Sequence, residues 1–155
     1  SFDFEEYSPA WSPDGSSLLF VINGSGHQTI YIRQKSDDYE NPKTYDRSSF
    51  FGRLGNVDDL AFSPDGNWLA YMEIKNSRQF DIGNVRYSSL GGDFHVLTQD
   101  SDVDRQPSWS RDSQWIVFTS ERNGNPEIYI MDISGLNQTN LSNDPAMDQY
   151  PAWRP

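Results

Sequence analysis

The chain has 155 residues, no cysteine, and 23 acidic against 12 basic side chains, for a net charge of −11. Disulfides, thiolate chemistry and cysteine-ligated zinc are excluded, and no basic stripe is present to neutralise nucleic-acid phosphates. Mean hydropathy is −0.77 although aromatics reach 14%, a balance that suits short strands joined by polar turns rather than a disordered or membrane-spanning chain.

In chain order, a first strand ends at Trp11 and the chain turns through Trp11-Ser-Pro-Asp-Gly15. Asp and Gly are turn formers, Gly because it accepts positive φ and Asp because its carboxylate caps local amides. A second strand follows, then a third around Tyr31, 20 residues after Trp11. The phrase returns as Phe62-Ser-Pro-Asp-Gly66 and Trp109-Ser-Arg-Asp-Ser113, and a fourth copy opens at Trp153. The steps are 51, 47 and 44 residues, a period that suits a stacked four-stranded unit unable to bury both its faces alone.

In the second unit, Tyr87 taken as the counterpart of Tyr31 lies 25 residues beyond Phe62. That count predicts five added residues between the second and third strands, within 74–83. A separate excess falls within 37–51, at the end of the first unit. The third unit is the cleanest. It predicts strands at 106–110, 115–119, 127–132 and 138–141, with turns at 111–113, 121–126 and 134–135. The repeated Trp11, Phe62, Trp109 and Trp153 are expected to pack between units rather than to serve as stacking platforms for sugars.

Pro9-Ala-Trp-Ser-Pro-Asp-Gly15, Ser120-Glu-Arg-Asn-Gly-Asn-Pro-Glu-Ile-Tyr-Ile-Met-Asp132 and Tyr150-Pro-Ala-Trp153 together resemble the propeller repeat of TolB-like proteins. The resemblance implies an all-β, antiparallel propeller of TolB-like type over 1–155. Its blades would lie at about 7–56, 57–104 and 105–149, with the first strand of a fourth at 150–155. It also implies an extracytoplasmic setting, in a bacterial periplasm or secreted. Three blades do not close a ring. Since the fourth copy breaks off, the expected complement is the remaining blades of a longer parent chain; the alternative is a homodimer closing a six-bladed ring.

Five residues before each motif aromatic stand Glu6, Val57 (with Asp58 beside it), Asp104 and Asp148, while Asp3, Asp100, Asp102 and Asp144 lie further out. In a propeller these positions gather at one mouth of the channel, with the loops that carry Arg78 and Arg122. The expectation is an acidic rim of Glu6, Asp58, Asp104, Asp148, Arg78 and Arg122 that takes a protein or peptide partner, with calcium as the one cation the carboxylates suggest. The two histidines, His27 and His95, occupy non-equivalent positions and no nucleophile elbow is present. A non-catalytic binding scaffold without cofactor, nucleic acid or membrane insertion is therefore expected. The alternatives are a propeller module of a prolyl-oligopeptidase- or tricorn-like peptidase and a carbohydrate-binding propeller.

Overall fold

The computed structural model describes residues 5–24, 27–35, 56–86 and 94–153. They form three antiparallel sheets in chain order. The first contains β1 (Glu5–Trp11), β2 (Ser17–Gly24) and β3 (His27–Gln34). The second orders β4 (Asn56–Phe62), β5 (Trp68–Asn76), β6 (Gln79–Arg86) and β7 (Phe94–Val96). The third orders β8 (Asp104–Trp109), β9 (Trp115–Ser120), β10 (Glu127–Asp132) and β11 (Thr139–Asn140). The predicted excess at 37–51 lies outside the described residues.

Alternation along the strands sends one row of side chains to each neighbouring sheet. Leu19, Val21, Ile30 and Ile32 of the first sheet meet Val57, Leu60, Leu69 and Tyr71 of the second. Ala70, Met72 and Ile82 of the second meet Trp109, Ile116, Phe118, Tyr129 and Met131 of the third. Each fully buried aliphatic side chain contributes about 1.5–3 kcal/mol, so sheet-on-sheet contact supplies the stability that no sheet has alone.

The repeated phrase builds the same turn three times. In the first copy Ser12 Oγ donates to Asp14 Oδ1 at 2.6 Å, Asp14 Oδ1 accepts Ser16 N at 3.0 Å, and Ser17 N donates back to Ser12 Oγ at 2.9 Å. Ser63 with Asp65 and Ser110 with Asp112 repeat it. The carboxylates are spent on local amides, which holds Asp14 at about 2, chiefly through the Ser12 hydroxyl. Ser113 replaces the glycine of the other copies yet keeps φ at 60°. Its Oγ accepts Asp65 N at 3.1 Å, so the departure from glycine is used to tie the third turn to the second.

The register of β6 differs from the sequence expectation. Tyr71 pairs with Gly83, as Phe20 pairs with Tyr31 and Phe118 with Tyr129. Gly83, 21 residues after Phe62, is therefore the counterpart of Tyr31, and one residue is added rather than five, at the irregularity between Ile74 and Asn76. The missing aromatic is replaced from across the strand. A Cβ on Gly83 would sit 2.5 Å from the Tyr71 ring, so that ring occupies the space a side chain would take.

One device was not foreseen. Each first strand bulges three residues before the motif aromatic, and the residue there has positive φ: Ser8 at 51°, Asp59 at 50°, Gln106 at 58° and, in the fourth copy, Tyr150 at 59°. The bulges are linked from repeat to repeat. Asp59 N donates to Ser8 Oγ at 3.0 Å, Gln106 N to Asp59 Oδ2 at 2.9 Å, and Tyr150 N to Gln106 Oε1 at 3.0 Å. A bulge exposes an amide that its own ladder cannot use, and at Asp59, Gln106 and Tyr150 the preceding repeat's side chain receives it.

Candidate functional site

The β2–β3, β5–β6 and β9–β10 hairpins share one end of the sheets, opposite the Ser-Pro-Asp-Gly turns. The connections entering the next repeat are tied down at this end. Phe80 N donates to Asp102 O at 3.2 Å and Glu121 N to Val103 O at 3.0 Å. Asp148 N donates to Pro126 O at 2.8 Å, and Asn125 Nδ2 reaches Asp144 O at 3.1 Å and Ala146 O at 2.6 Å. Asp100 and Asp144 cap their own turns through Asp102 N and Ala146 N.

Asp104 and Arg122 come together here. Arg122 Nη2 lies 3.3 Å from both Asp104 carboxylate oxygens and 3.0 Å from Asp100 Oδ2. Its Nε donates to Ser120 Oγ at 2.8 Å and its Nη1 to Gln138 Oε1 at 2.6 Å. The guanidinium carbon sits 4.6 Å from the Tyr129 ring centroid and 5.6 Å from that of Phe118, close enough for cation–π attraction. Asp104 is fully buried. Burial raises its pKa, while Ser120, Thr98 and Arg122 pull it back. This pair is an internal brace.

The other rim residues stand apart from it. Glu6 is exposed and lines a groove of about 310 Å³ on the outer flank of the first sheet, with Tyr7, Leu18, Phe20 and Arg33. Asp58 is half-buried, accepts the Ser8 hydroxyl, and caps Asp59 N at 2.8 Å. Asp148 is half-buried, with Oδ2 shielded and unpaired. Arg78 is exposed in the β5–β6 hairpin, its backbone amide held by Asn76 Oδ1 at 2.9 Å. Among the described residues no three histidines or carboxylates converge as a metal site. Asp3 and the 25–26 segment lie outside the described residues. Sequence reading missed Glu73 and Asp81, a cross-strand pair of carboxylates at 5% and 3% exposure. Glu73 is bonded to Lys75 at 2.6 Å, and burial raises the Asp81 pKa.

The family model described as the TolB beta propeller domain matches residues 40–155. The chain belongs to this family. Tol-Pal system protein TolB of Bordetella pertussis is 31% identical over 130 residues, which is 83% of this chain and 27% of that protein. Protein TolB homolog of Chlorobium chlorochromatii is 31% identical over 141 residues, 91% of this chain and 29% of the relative. The chain thus spans between a quarter and a third of these TolB proteins. Among solved structures, TolB from Acinetobacter baumannii aligns with a TM-score of 0.74 at 22% identity, over 96% of this chain and 35% of that one. A puromycin-hydrolyzing peptidase of Mycobacterium tuberculosis aligns with a TM-score of 0.69 at 16% identity, over 92% and 24%. Both likenesses show the fold: an all-β propeller segment of the TolB kind.

Proposed function

We propose that the chain is part of a non-catalytic propeller scaffold that binds a protein or peptide at the hairpin-bearing end. What supports this reading is the tethering of 100–104 and 144–148 to the neighbouring hairpins, which holds a set of carboxylates at one end of a chain of net charge −11. Arg78 is the exposed group that meets the partner, with Asp58 and Asp148 behind it, while Glu6, on the flank of the first sheet, is the rim residue that a preceding blade would cover. The Asp104–Arg122 brace keeps the rim from deforming. A partner segment with basic side chains is the complement, because opposite potentials steer association and set register.

The Bordetella pertussis relative is a protein of the Tol-Pal system. Carried to this chain, that supports a protein partner of the same kind and an extracytoplasmic setting. The flanks of the first and third sheets are covered in this reading by further blades. These come from a longer parent chain or from a second copy that completes six. The likeness to the peptidase propeller is at 16% identity and carries the fold without an activity.

The test uses the full-length protein carrying Glu6→Gln, Asp58→Asn and Asp148→Asn together, titrated calorimetrically against purified proteins of a Tol-Pal system. Affinity is expected to fall about tenfold, and wild-type affinity to weaken with salt. Unchanged affinity with no salt dependence would remove the rim from the binding surface.

A further inference from the structure

We propose that the buried carboxyl groups of Glu73 and Asp81 hold one proton between them, carried on Asp81 Oδ1 and donated to Glu73, and that this proton latches the β5–β6 hairpin to the entrance of the third repeat. The repeats supply the comparison. Asp81 lies directly across from Glu73, where Thr29 lies across from Ile22 and Glu127 from Ser120. Of the three pairs, only the second sets two acids against each other. Both are almost fully buried.

The third repeat shows how a single buried carboxylate is satisfied at this position. Glu127 is buried, and its Oε2 accepts Asn123 Nδ2 at 3.2 Å and also Asn140 Nδ2. In the second repeat Lys75 Nζ is committed to Glu73 Oε2 at 2.6 Å, whereas Asp81 Oδ1 is buried and has no hydrogen-bond partner. Residues directly opposite in an antiparallel pair have Cβ atoms about 4.5–5.5 Å apart, and like charges so placed repel. Away from water one of two such carboxyl groups keeps its proton. Protonation turns Asp81 Oδ1 from an acceptor without a donor into a donor with an acceptor opposite it. Because Oδ1 is closed to solvent, a proton fits there where a cation or a water does not.

The groups facing the pair leave it short of positive charge. On β5 the titratable neighbours are Tyr71, kept neutral by burial, and Lys75. On β6 Gln79 hydrogen-bonds to Asp81. The third repeat contributes the charges of Asp100 and Asp104, both held by Arg122 Nη2, at 3.0 and 3.3 Å. The described side chains that the first sheet packs on this face, Val21 and Ile30 among them, are uncharged. Burial is the largest cause that raises Asp81 above 3.8; Gln79 and Lys75 pull it back, and Asp104 and Asp100 raise it further. Stability linked to the proton is therefore greatest below 3.8 and is lost as pH rises through the folded value.

What the proton controls follows from the place of Asp81 in β6. Gln79 Nε2 donates to Asp100 O at 2.9 Å, Phe80 N donates to Asp102 O at 3.2 Å, and Phe80 forms a parallel bridge with Val103. These contacts tie the hairpin to 100–104. Loss of the proton sets a further negative charge near Asp100 and Asp104, and the tie loosens.

The test is a pH titration of the full-length protein, followed by the ¹³C shifts of its Asp and Glu carboxyl carbons and by hydrogen exchange at the Phe80 amide. Asp81 is expected to titrate with a midpoint above 3.8. The protection factor of Phe80, which already corrects for base-catalysed exchange, should fall about tenfold as pH rises through that midpoint, as one ionisation linked to local opening allows. In Asp81→Asn, which donates a hydrogen bond without titrating, protection should stay high across the range. An Asp81 midpoint at or below 3.8 would overturn the proposal, and so would Phe80 protection that is constant across the titration. A fall that persists in the folded variant would assign the latch to another group and overturn it as well. The first two readings come from the wild type, so the proposal stays testable whatever Asp81→Asn does.

Discussion

Trp109 and Trp11 occupy the same position of the same repeated phrase, yet Trp109 is 5% exposed and Trp11 59%. The difference lies in what stands beside them. Trp109 Nε1 donates to Ala61 O of the preceding sheet at 3.0 Å, and its ring joins the cluster between the second and third sheets. Among the described residues no sheet precedes Trp11. At the far flank Trp153 is 38% exposed, with Tyr150, Met147 and Leu141 also open to solvent. Burial of the motif aromatic thus goes with a preceding sheet and a sheet of its own: Trp109 has both, Trp11 has no described sheet before it, and Trp153 belongs to no described sheet.

The largest expected effect breaks that comparison directly. Trp109→Ala should cost about 3–5 kcal/mol of unfolding free energy, the range for a buried large aromatic. Trp11→Ala should cost under about 1 kcal/mol in a chain whose first flank is open. Urea denaturation of both variants checks it, and equal losses would mean the flank is not open in solution. Next comes Gly83→Ala, which drives a methyl group against the Tyr71 ring and should cost about 1–3 kcal/mol.

Smaller effects probe the links between repeats. Asp59→Ala removes the acceptor of Gln106 N and should cost about 1–2 kcal/mol, while Asp59→Asn, which keeps an oxygen, should restore much of that. Hydrogen exchange at the Gln106 amide would report the same loss locally.

Smallest are the pH effects, which have opposite signs in two places. The folded pKa of Asp14 is lowered from 3.8 to about 2 by the Ser12 hydroxyl, so its contribution is present above 3.8 and fades as pH falls through about 2. Burial raises the folded pKa of Asp104 above 3.8. Stability linked to Asp104 is therefore highest below 3.8 and is lost as pH rises through the folded value. Asp14→Asn should flatten the acid limb of a urea-midpoint profile, and Asp104→Asn the limb above about pH 4.

Much of the fold was legible because the phrase around Trp11, Phe62 and Trp109 recurs in register and its Asp and Ser residues admit one turn. The third strand of the second repeat was misjudged because the expected tyrosine is absent there. Tyr87 was the nearest aromatic to count to, whereas the structure uses Gly83 and supplies the ring from Tyr71. The acidic series was visible as spacing, but spacing does not report burial. At the fifth position before the aromatic Val57 and Asp104 are buried, Asp148 is half-buried, and Glu6, with no described sheet before it, is exposed. The linked bulges left no sequence signal, since Ser8, Asp59, Gln106 and Tyr150 share a backbone conformation and not a residue type.

The claim that both flanks are surfaces built for a neighbouring blade is tested most directly by the solution mass of residues 1–155, measured by light scattering on a sizing column. The account predicts association above 17.8 kDa, with Trp11 fluorescence shifting to the blue as mass rises. A monodisperse monomer at every concentration, with Trp11 still solvated, would contradict it.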